Sequence, residues 1–267
     1  MTNPLALSTL GLPGASLATA VTAAVRGGCA GLELRSHPET GVHPGMSSRE
    51  RSAARAALAA AGLTALTLAG YTRIAEPGDD DAVSALLAAE IRLAADLGAR
   101  YVRVFPGGTD EEAAVRRLRA AAPLAAAARV VVAVETHDSH PTGAAVARLL
   151  DAAAVPETTA AIWDLLHPWR SGETPAETLA NLDGRLAYVQ VKDVMSAEDT
   201  TPVPLGTGCV PLTDAARTLR RAGYAGWVSL EWERTWHPQV APVQDVLPGA
   251  AAWARSLSCG GTLPDLG

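Results

Sequence analysis

Short apolar runs alternate with longer, alanine-rich segments along almost the whole chain. Several short runs, such as Val130–Val134, are continuously apolar, which is typical of parallel strands covered on both faces. The pattern predicts eight strands, at Leu5–Thr9, Gly31–Arg35, Thr64–Leu68, Tyr101–Phe105, Val130–Glu135, Ala160–Asp164, Ala187–Lys192 and Trp227–Glu231.

Helical segments separate these strands. They are predicted near residues 16–27, 48–61, 80–97, 110–127, 142–153, 174–182, 212–222 and 239–257. The residues expected to cap helix starts are Ser48, Asp80, Thr109 and Thr213, and those expected to end helices are Gly62, Gly98 and Gly223. Eight strand–helix pairs in one chain predict a single α/β domain with the (β/α)8 TIM-barrel architecture.

A doubly wound open sheet is the alternative fold. The turn after the first predicted strand, G-L-P-G-A at 11–15, is not a G-x-G-x-x-G fingerprint, and the chain has no Walker A sequence. We therefore expect one barrel domain over residues 1–258 and a flexible, Gly/Pro-rich C-terminal tail at 259–267.

Composition narrows the class of function. The 267 residues include 48% hydrophobic and 19% charged residues, with a net charge of −6 and no Lys/Arg-rich run, which argues against nucleic-acid binding. Three cysteines without a C-x-x-C spacing argue against a disulfide framework. We see no signal peptide and no apolar run of membrane-spanning length, so we expect a cytoplasmic protein with no membrane partner. A homo-oligomer remains open.

Polar residues stand at the ends of the predicted strands, where the active site of a barrel lies. They are Glu33, Arg103, Glu135, Asp164, Gln190, Lys192 and Glu231. Glu135, Asp164 and Glu231 end the fifth, sixth and eighth strands, and Gln190 ends the seventh, so all four are neighbours around one rim. Three converging carboxylates repel one another unless a cation binds them. The sequence thus predicts one divalent metal ion held by three carboxylates and an amide oxygen, a hard ligand set.

The same strand-end loops carry histidines and tryptophans. His137 and His140 follow Glu135, His167 follows Asp164, and His237 follows Glu231. We expect His137, His167 and His237 to contact substrate. Trp163, Trp169, Trp232 and Trp236 cluster in these loops too. They either pack the top of the barrel or form a wall against a sugar or an aromatic ring, and Trp163 is our candidate for the second role.

These motifs resemble the xylose isomerase-like superfamily of sugar isomerases and epimerases. The resemblance rests on G-L-E-L-R, V-E-T-H, W-D-L-L-H, V-Q-V-K-D, L-G-T-G-C-V-P-L and G-Y-A-G-W-V-S-L-E-W-E, and runs from Leu5 to about Leu257. It implies a role in carbohydrate metabolism. It also implies a Mn2+, Mg2+, Co2+ or Zn2+ ion bound by Glu135, Asp164, Gln190 and Glu231.

The resemblance further implies catalytic roles. Glu135 and Glu231 would exchange protons with the substrate, and His167 would touch a substrate oxygen. Apart from the resemblance, we expect Lys192, Arg103 and Glu33, which stand at strand ends, to bind substrate.

Two departures from the family pattern matter. The usual seventh-strand ligand is His, and Gln190 replaces it here, which favours harder metals such as Mn2+ or Mg2+ over Zn2+. Ketose 3-epimerases also carry a substrate-binding Glu and Arg where this chain has Pro141 and Ser196. This argues against a ketose 3-epimerase in the strict sense.

The reaction itself stays open at the level of sequence. Isomerisation, epimerisation, dehydration of an inosose or dehydroshikimate-like compound, and cleavage of a C-glycoside share one enediolate step on a small, sugar-like hydroxy-carbonyl substrate. A metal-dependent DNA-repair nuclease would need a basic rim and more histidine ligands. A catalytically inactive barrel that serves as a binding module is the other alternative.

Overall fold

Eight parallel strands close into a barrel in the computed structural model, which describes residues 2–258. The strands are β1 (Leu5–Ser8), β2 (Gly31–Arg35), β3 (Thr64–Arg73), β4 (Tyr101–Phe105), β5 (Val131–Glu135), β6 (Thr159–Asp164), β7 (Leu186–Val191) and β8 (Val228–Leu230). Each strand pairs with the next, and β8 pairs with β1, where Val228 lies opposite Leu5. The predicted (β/α)8 barrel is confirmed.

Helices surround the strands. Within residues 2–258 they are α1 (Leu17–Arg26), α2 (Ser48–Ala60), α3 (Asp80–Leu97), α4 (Glu111–Ala128), α5 (Gly143–Ala153), α6 (Leu166–Arg170), α7 (Pro175–Asn181), α8 (Leu212–Arg221) and α9 (Val243–Ser256). The short α6 was not predicted. It begins where Asp164 Oδ1 accepts a hydrogen bond from the Leu166 N–H, 2.9 Å away. This turn sets His167 three residues beyond Asp164, on the same side of the barrel mouth.

Helix boundaries follow local hydrogen bonds. Ser47, not Ser48, caps α2, because only Ser47 has a glutamate three residues later, and Glu50 completes a reciprocal capping box. The other predicted caps shift similarly, and the observed N-caps are Asp79, Asp110 and Pro211 in place of Asp80, Thr109 and Thr213. The predicted helix ends are confirmed by the positive φ of Gly62, Gly98 and Gly223.

The barrel has two apolar layers. Inside it, a small cluster contains Ala6, Leu66, Ala133, Ile162 and Tyr188. The larger core lies between the strands and the helices, and its bulkiest members, Trp163, Trp232 and Trp253, are almost fully buried. Because side chains alternate along a strand, Ile162 and Asp164 face inward while Trp163 faces the helices.

Strand β3 is longer than predicted and runs to Arg73 rather than Leu68. The extension passes Gly70, where an added Cβ would lie 2.4 Å from the buried Glu90 carboxylate. Glu90 also accepts hydrogen bonds from the Tyr71 N–H and the Thr72 hydroxyl. A glycine is needed here because the Glu90 side chain packs directly on the backbone, and this contact fixes the top of β3 at the barrel mouth.

Three further expectations concern the rest of the chain. None of the described helices is long and apolar enough to span a membrane. Cys29 is a buried free thiol and Cys209 an exposed one. The predicted flexible tail at 259–267, which includes Cys259, lies outside the described residues.

Candidate metal centre and substrate pocket

The strand ends bring the predicted polar residues to one mouth of the barrel. Asp164 on β6 is in register with Gln190 on β7, which in turn is opposite Ser229 on β8, two residues before Glu231. These strand-end side chains are almost completely buried, although all of them are polar or charged: Glu33, Arg103, Glu135, Asp164, Gln190, Lys192 and Glu231. Such burial is costly unless the charges are paired, so their contacts decide what the site can do.

Three carboxylates form the centre of the site. Glu135, Asp164 and Glu231 each place an oxygen atom within 4.8 Å of the others. Their residues are 1%, 0% and 3% exposed, so solvent cannot screen the repulsion between them. We call this group the carboxylate cluster.

Two buried cations offset part of the negative charge. Arg103 Nη1 lies 3.0 Å from Glu135 Oε2 and 3.7 Å from Glu231 Oε1. Lys192 Nζ lies 2.9 Å from Asp164 Oδ2 and 2.6 Å from Glu233 Oε1, and it also pairs with Glu231.

These two cations do not balance the mouth. Its five carboxylates are the three of the cluster together with Glu33 and Glu233. Among the described residues, Arg103 and Lys192 are the only Lys or Arg side chains in ion-pair contact with them. Arg35 also lines the pocket but is paired with Glu39, so the remaining five negative and two positive groups leave a formal charge of three negative.

The carboxylates differ in proton affinity. Burial raises the pKa of Glu135 and, more strongly, of Glu231, and the neighbouring cations only partly reverse this. Burial alone would also raise the pKa of Asp164, but the charges of Lys192 and His167 outweigh it and hold that pKa below the usual range. Asp164 is therefore a permanent anion, whereas the two glutamates are stronger bases than ordinary glutamates.

Gln190 links the carboxylate cluster to Glu33. Its Nε2 donates to Glu33 Oε1 at 3.2 Å and to Glu231 Oε1 at 3.3 Å, which orients the amide nitrogen toward the carboxylates. The Tyr188 hydroxyl donates to Glu33 Oε2 at 2.9 Å. In this orientation the amide nitrogen, not Oε1, faces the carboxylates, so Gln190 would offer its oxygen to an ion with the amide turned over.

Three buried oxygen atoms of this group lack a hydrogen bond of good geometry among the described residues. They are Asp164 Oδ2, Gln190 Oε1 and Glu231 Oε2. Lys192 Nζ is at ion-pair distance from the two carboxylate oxygens, and His167 Nε2 lies 3.3 Å from Asp164 Oδ2, so Gln190 Oε1 alone has no polar partner within residues 2–258. Buried acceptors without donors are rare in proteins and call for a ligand or an ion. Because all of these donors are oxygens, the residues present fit a hard divalent cation.

A second set of metal-binding atoms lies beside the first. Glu135, His137 and His167 also place ligand atoms within 4.8 Å of one another. The two imidazole rings are 4.2 Å apart between centroids, and His167 Nε2 is 3.3 Å from Asp164 Oδ2. Burial, followed by the nearby His167, lowers the pKa of His137 to about 3. His137 is thus neutral at neutral pH and has a ring nitrogen available to accept a bond.

A pocket opens above the cluster. It is lined by Ser8, Leu10, Glu33, Arg35, Ala69, Tyr71, Arg103, Phe105, Glu135, His137, Glu231, Glu233 and Trp236. A roomier groove lies on the outside of the barrel between α1 and α9, but its lining has no acidic residue and no histidine. Size therefore favours the outer groove, whereas the chemistry favours the mouth pocket, and we regard the latter as the substrate site.

The structure brings together most of the predicted site residues. Glu33, Arg103, Glu135, His137 and Glu231 line the pocket, while Asp164, His167, Gln190 and Lys192 contact these residues or one another beside it.

Two predicted substrate contacts lie elsewhere. Trp163 faces the helices and packs with Leu165, Pro168 and Val210, because its position on β6 is one residue out of phase with Asp164. His237 lies near Asp199, outside the pocket lining. Of the four clustered tryptophans, only Trp236 reaches the pocket.

Among the pocket residues that the sequence interpretation missed, four have charged or aromatic side chains: Arg35, Tyr71, Phe105 and Glu233. Arg35, Phe105 and Glu233 each stand two residues after an identified strand-end residue and so face the same side. The period of two was the signal that could have found them. Tyr71 had no such signal, because β3 extends beyond its apolar run.

The comparisons with known proteins agree with this geometry. A sequence profile described as xylose isomerase-like TIM barrel matches residues 21–258. The chain belongs to this family. No curated protein sequence matches the chain significantly.

Several solved structures align with nearly the whole chain. A probable 3-DHS dehydratase from Bacillus anthracis has 21% identity and a TM-score of 0.75, over 95% of this chain and 98% of its own. A D-allulose 3-epimerase from Methylomonas sp. has 17% identity and a TM-score of 0.78, with 96% and 98% coverage. The 3-keto-D-glucoside 4-epimerase of E. coli has 17% identity and a TM-score of 0.74, with 95% and 99% coverage. At these identities the likeness establishes the shared fold.

Proposed function

We propose that this protein is a divalent-metal-dependent isomerase or epimerase of a small, sugar-like hydroxy-carbonyl compound. The observation that carries the proposal is the carboxylate cluster, in which three buried carboxylates converge beside an open pocket. Glu135, Asp164, Gln190 and Glu231 would hold the ion. When bound, the ion would polarise the substrate carbonyl and a neighbouring hydroxyl and stabilise the enediolate.

The charge of the mouth supports a bound cation. A formal charge of three negative in a solvent-excluded site is unfavourable, and a divalent ion reduces it to one negative. Lys192 and Arg103 are each already shared between carboxylates, so neither can supply the missing charge. This argument does not depend on the family resemblance.

Glu135 and Glu231 are suited to move the proton. Both line the pocket, so each carboxylate can reach the carbon next to a substrate carbonyl. Arg103 contacts both carboxylates and holds their relative position. One glutamate would remove the proton next to the carbonyl, and either the same or the opposite glutamate would return it. His167, which is only partly buried beside Asp164, would contact a substrate oxygen.

A dehydratase or lyase built on the same proton abstraction is the second candidate. The position where ketose 3-epimerases carry an arginine is Ser196, whose hydroxyl accepts hydrogen bonds from the Glu198 and Asp199 N–H groups in a loop turn. The Ser196 hydroxyl therefore stabilises the turn of its own loop. This favours a reaction other than ketose 3-epimerisation, and elimination of a β-hydroxyl from the enediolate fits the same residues.

The test is a screen for solvent exchange at carbon. Protein supplied with Mn2+ is incubated in D2O with ketoses, inososes, dehydroshikimate-like acids and oxidised glycosides, and deuterium incorporation is measured by NMR and mass spectrometry. We expect metal-dependent exchange or elimination with at least one compound class. Metal-independent turnover, or no exchange together with no metal binding, would count against the proposal and favour a binding module.

A further inference from the structure

One guanidinium in the pocket stands apart from the carboxylate cluster, that of Arg35. The residue is only 5% exposed, yet it lines the same cavity as Glu135 and Glu231. Its ion-pair partner among the described residues is Glu39, at 3.2 Å, and the Glu39 side chain is 60% exposed. Because Glu39 is exposed, its carboxylate is solvated when a ligand displaces it from Arg35, and the ligand takes over the buried guanidinium.

The orientation of Arg35 is fixed before any ligand arrives. Its Nε donates to the Tyr71 hydroxyl at 2.8 Å, and its backbone N–H donates to Thr9 Oγ1 at 2.9 Å. The guanidinium carbon lies 5.1 Å from the centroid of the Trp236 ring and 5.6 Å from that of Tyr71. Within residues 2–258, Nη2 has neither a hydrogen-bond nor an ion-pair partner. Once an incoming anion displaces the exposed Glu39 from Nη1, Nη1 and Nη2 form one edge that is suited to receive a planar anion.

The other cations of the mouth are not available for this role. Arg103 donates to Glu135 and, through Nε and Nη2, to the Gly70 carbonyl. Lys192 is shared among three carboxylates. An anionic group that enters the pocket therefore meets Arg35 as its counter-ion.

We infer that the substrate is an acid, and that Arg35 binds its carboxylate at the end remote from the reacting hydroxy-carbonyl group. This rests on the proposed function for the chemistry at the other end. Trp236 and Tyr71 would flank the same group with their rings. We choose a carboxylate over a phosphate because a single guanidinium edge matches a planar, singly charged group, whereas phosphates are usually held by several donors.

Three probes with one scaffold test this inference. D-Fructose, D-fructuronate and D-fructose 6-phosphate carry a hydroxyl, a carboxylate and a phosphate, respectively, at the carbon remote from the ketone. Binding to the full chain is measured calorimetrically, with and without Mn2+. We expect D-fructuronate to bind at least tenfold more tightly than D-fructose and more tightly than the phosphate.

Variants assign the preference to Arg35. Arg35→Gln should weaken D-fructuronate binding about 10- to 100-fold, the usual range for a lost charge-assisted hydrogen bond, and leave D-fructose binding within about threefold. Glu39→Gln removes the competing carboxylate and should strengthen binding of the acid. Arg73→Gln is the matched control, because Arg73 pairs with Asp138 on the exposed rim and does not line the pocket. It should change neither affinity by more than about twofold. If the Gln variant does not fold, Arg35→Lys replaces it, because this variant keeps the positive charge. Its affinity for D-fructuronate should lie between that of the wild type and that expected for Arg35→Gln.

The inference is overturned if D-fructuronate does not bind more tightly than D-fructose, whether both compounds bind or neither does. It is also overturned if the phosphate binds best, or if the Arg35 variants weaken acid and ketose equally. A preference for the acid that persists without Mn2+ and without any deuterium exchange would support the substrate class while rejecting the proposed chemistry. The two proposals can therefore fail separately.

Discussion

Lys192 Nζ lies 2.9 Å from Asp164 Oδ2, and the two side chains are only 1% and 0% exposed. The ammonium is thus the internal counter-ion of a cluster that we propose to bind a metal. An ammonium and a divalent ion beside the same carboxylates compensate the same charge, so the lysine should matter most when the metal is absent.

Lys192→Met tests this relationship. Removing one partner of a buried ion pair typically costs about 3–5 kcal/mol, because the other charge remains buried and unpaired. We expect the chelator-treated variant to unfold well below the wild type, and Mn2+ to raise its midpoint by more than it raises that of the wild type. Thermal unfolding with and without Mn2+ measures both effects.

Arg116→Gln is the control, because its partner Asp80 is also a carboxylate but the pair is exposed. This variant should unfold like the wild type in both conditions. A Lys192→Met protein that is as stable as the wild type without metal would show that the carboxylates do not need a counter-ion.

The identity of the metal follows from the donor atoms. Glu135, Asp164, Gln190 and Glu231 offer only oxygen, so Mn2+ or Mg2+ should restore the exchange activity of chelator-treated protein at least as well as Zn2+. If Zn2+ alone restores it, the neighbouring set of Glu135, His137 and His167 holds the ion. In that case His167→Gln, rather than Gln190→Ala, should abolish Zn2+ binding in equilibrium dialysis.

Glu135→Gln and Glu231→Gln separate proton transfer from metal binding. Each variant keeps the shape and one oxygen donor but loses the base, so turnover should fall about 10²- to 10⁴-fold while some metal is still bound. In an epimerase, one variant should still exchange the substrate proton with D2O although product formation stops in both. In an isomerase or a dehydratase with one base, one variant should lose exchange, and the other should fail mainly through loss of the metal, so that excess Mn2+ restores its turnover.

Asp164→Asn is the matched control for these two variants. It should weaken metal binding without selectively blocking either proton transfer, since Asp164 does not line the pocket. Near-normal turnover in both glutamine variants would move the proton carrier elsewhere, and His137 and Lys192 would be the next residues to test.

The two described thiols should be alkylated at different rates at pH 8. Burial raises the pKa of Cys29 to about 11, so roughly one molecule in a thousand carries the thiolate at pH 8. Cys209 is exposed. Peptide-level mass spectrometry after brief iodoacetamide treatment at pH 8 should find Cys209 alkylated and Cys29 intact, with Cys209→Ser as the control. Rapid labelling of Cys29 in the folded protein would show that the packing of α1 against β2 is looser than described.

The fold was accessible from sequence because it depends on a repeated local pattern. Continuous apolar runs such as Val130–Val134 identify buried parallel strands, and capping residues bound the helices between them. The boundaries that moved, such as Ser47 for Ser48 and Arg73 for Leu68, depend on contacts that composition does not specify. In the second case, the decisive contact is between Gly70 and Glu90, which are distant in sequence.

From the sequence, only the part of the candidate site formed by the residues that end the strands could be predicted. Strand-end residues such as Glu135 and Asp164 can be identified because each ends an apolar run. Arg35 and Glu233 stand two positions further on. Arg35 is the last residue of the second predicted strand and Glu233 follows the eighth, so neither directly ends an apolar run. The error at Trp163 has the same origin, since proximity in sequence to Asp164 does not reveal that the two side chains face opposite sides of the sheet.

The central claim is that Glu135, Asp164, Gln190 and Glu231 hold one divalent ion. The most direct measurement is a Mn2+ titration of chelator-treated protein, with free Mn2+ followed by electron paramagnetic resonance and bound metal counted by elemental analysis. We expect one ion per chain, and a loss of at least about tenfold in affinity in Asp164→Asn. A wild-type protein that binds no Mn2+, Mg2+ or Zn2+, or an Asp164→Asn variant that binds Mn2+ as tightly as the wild type, would contradict the account.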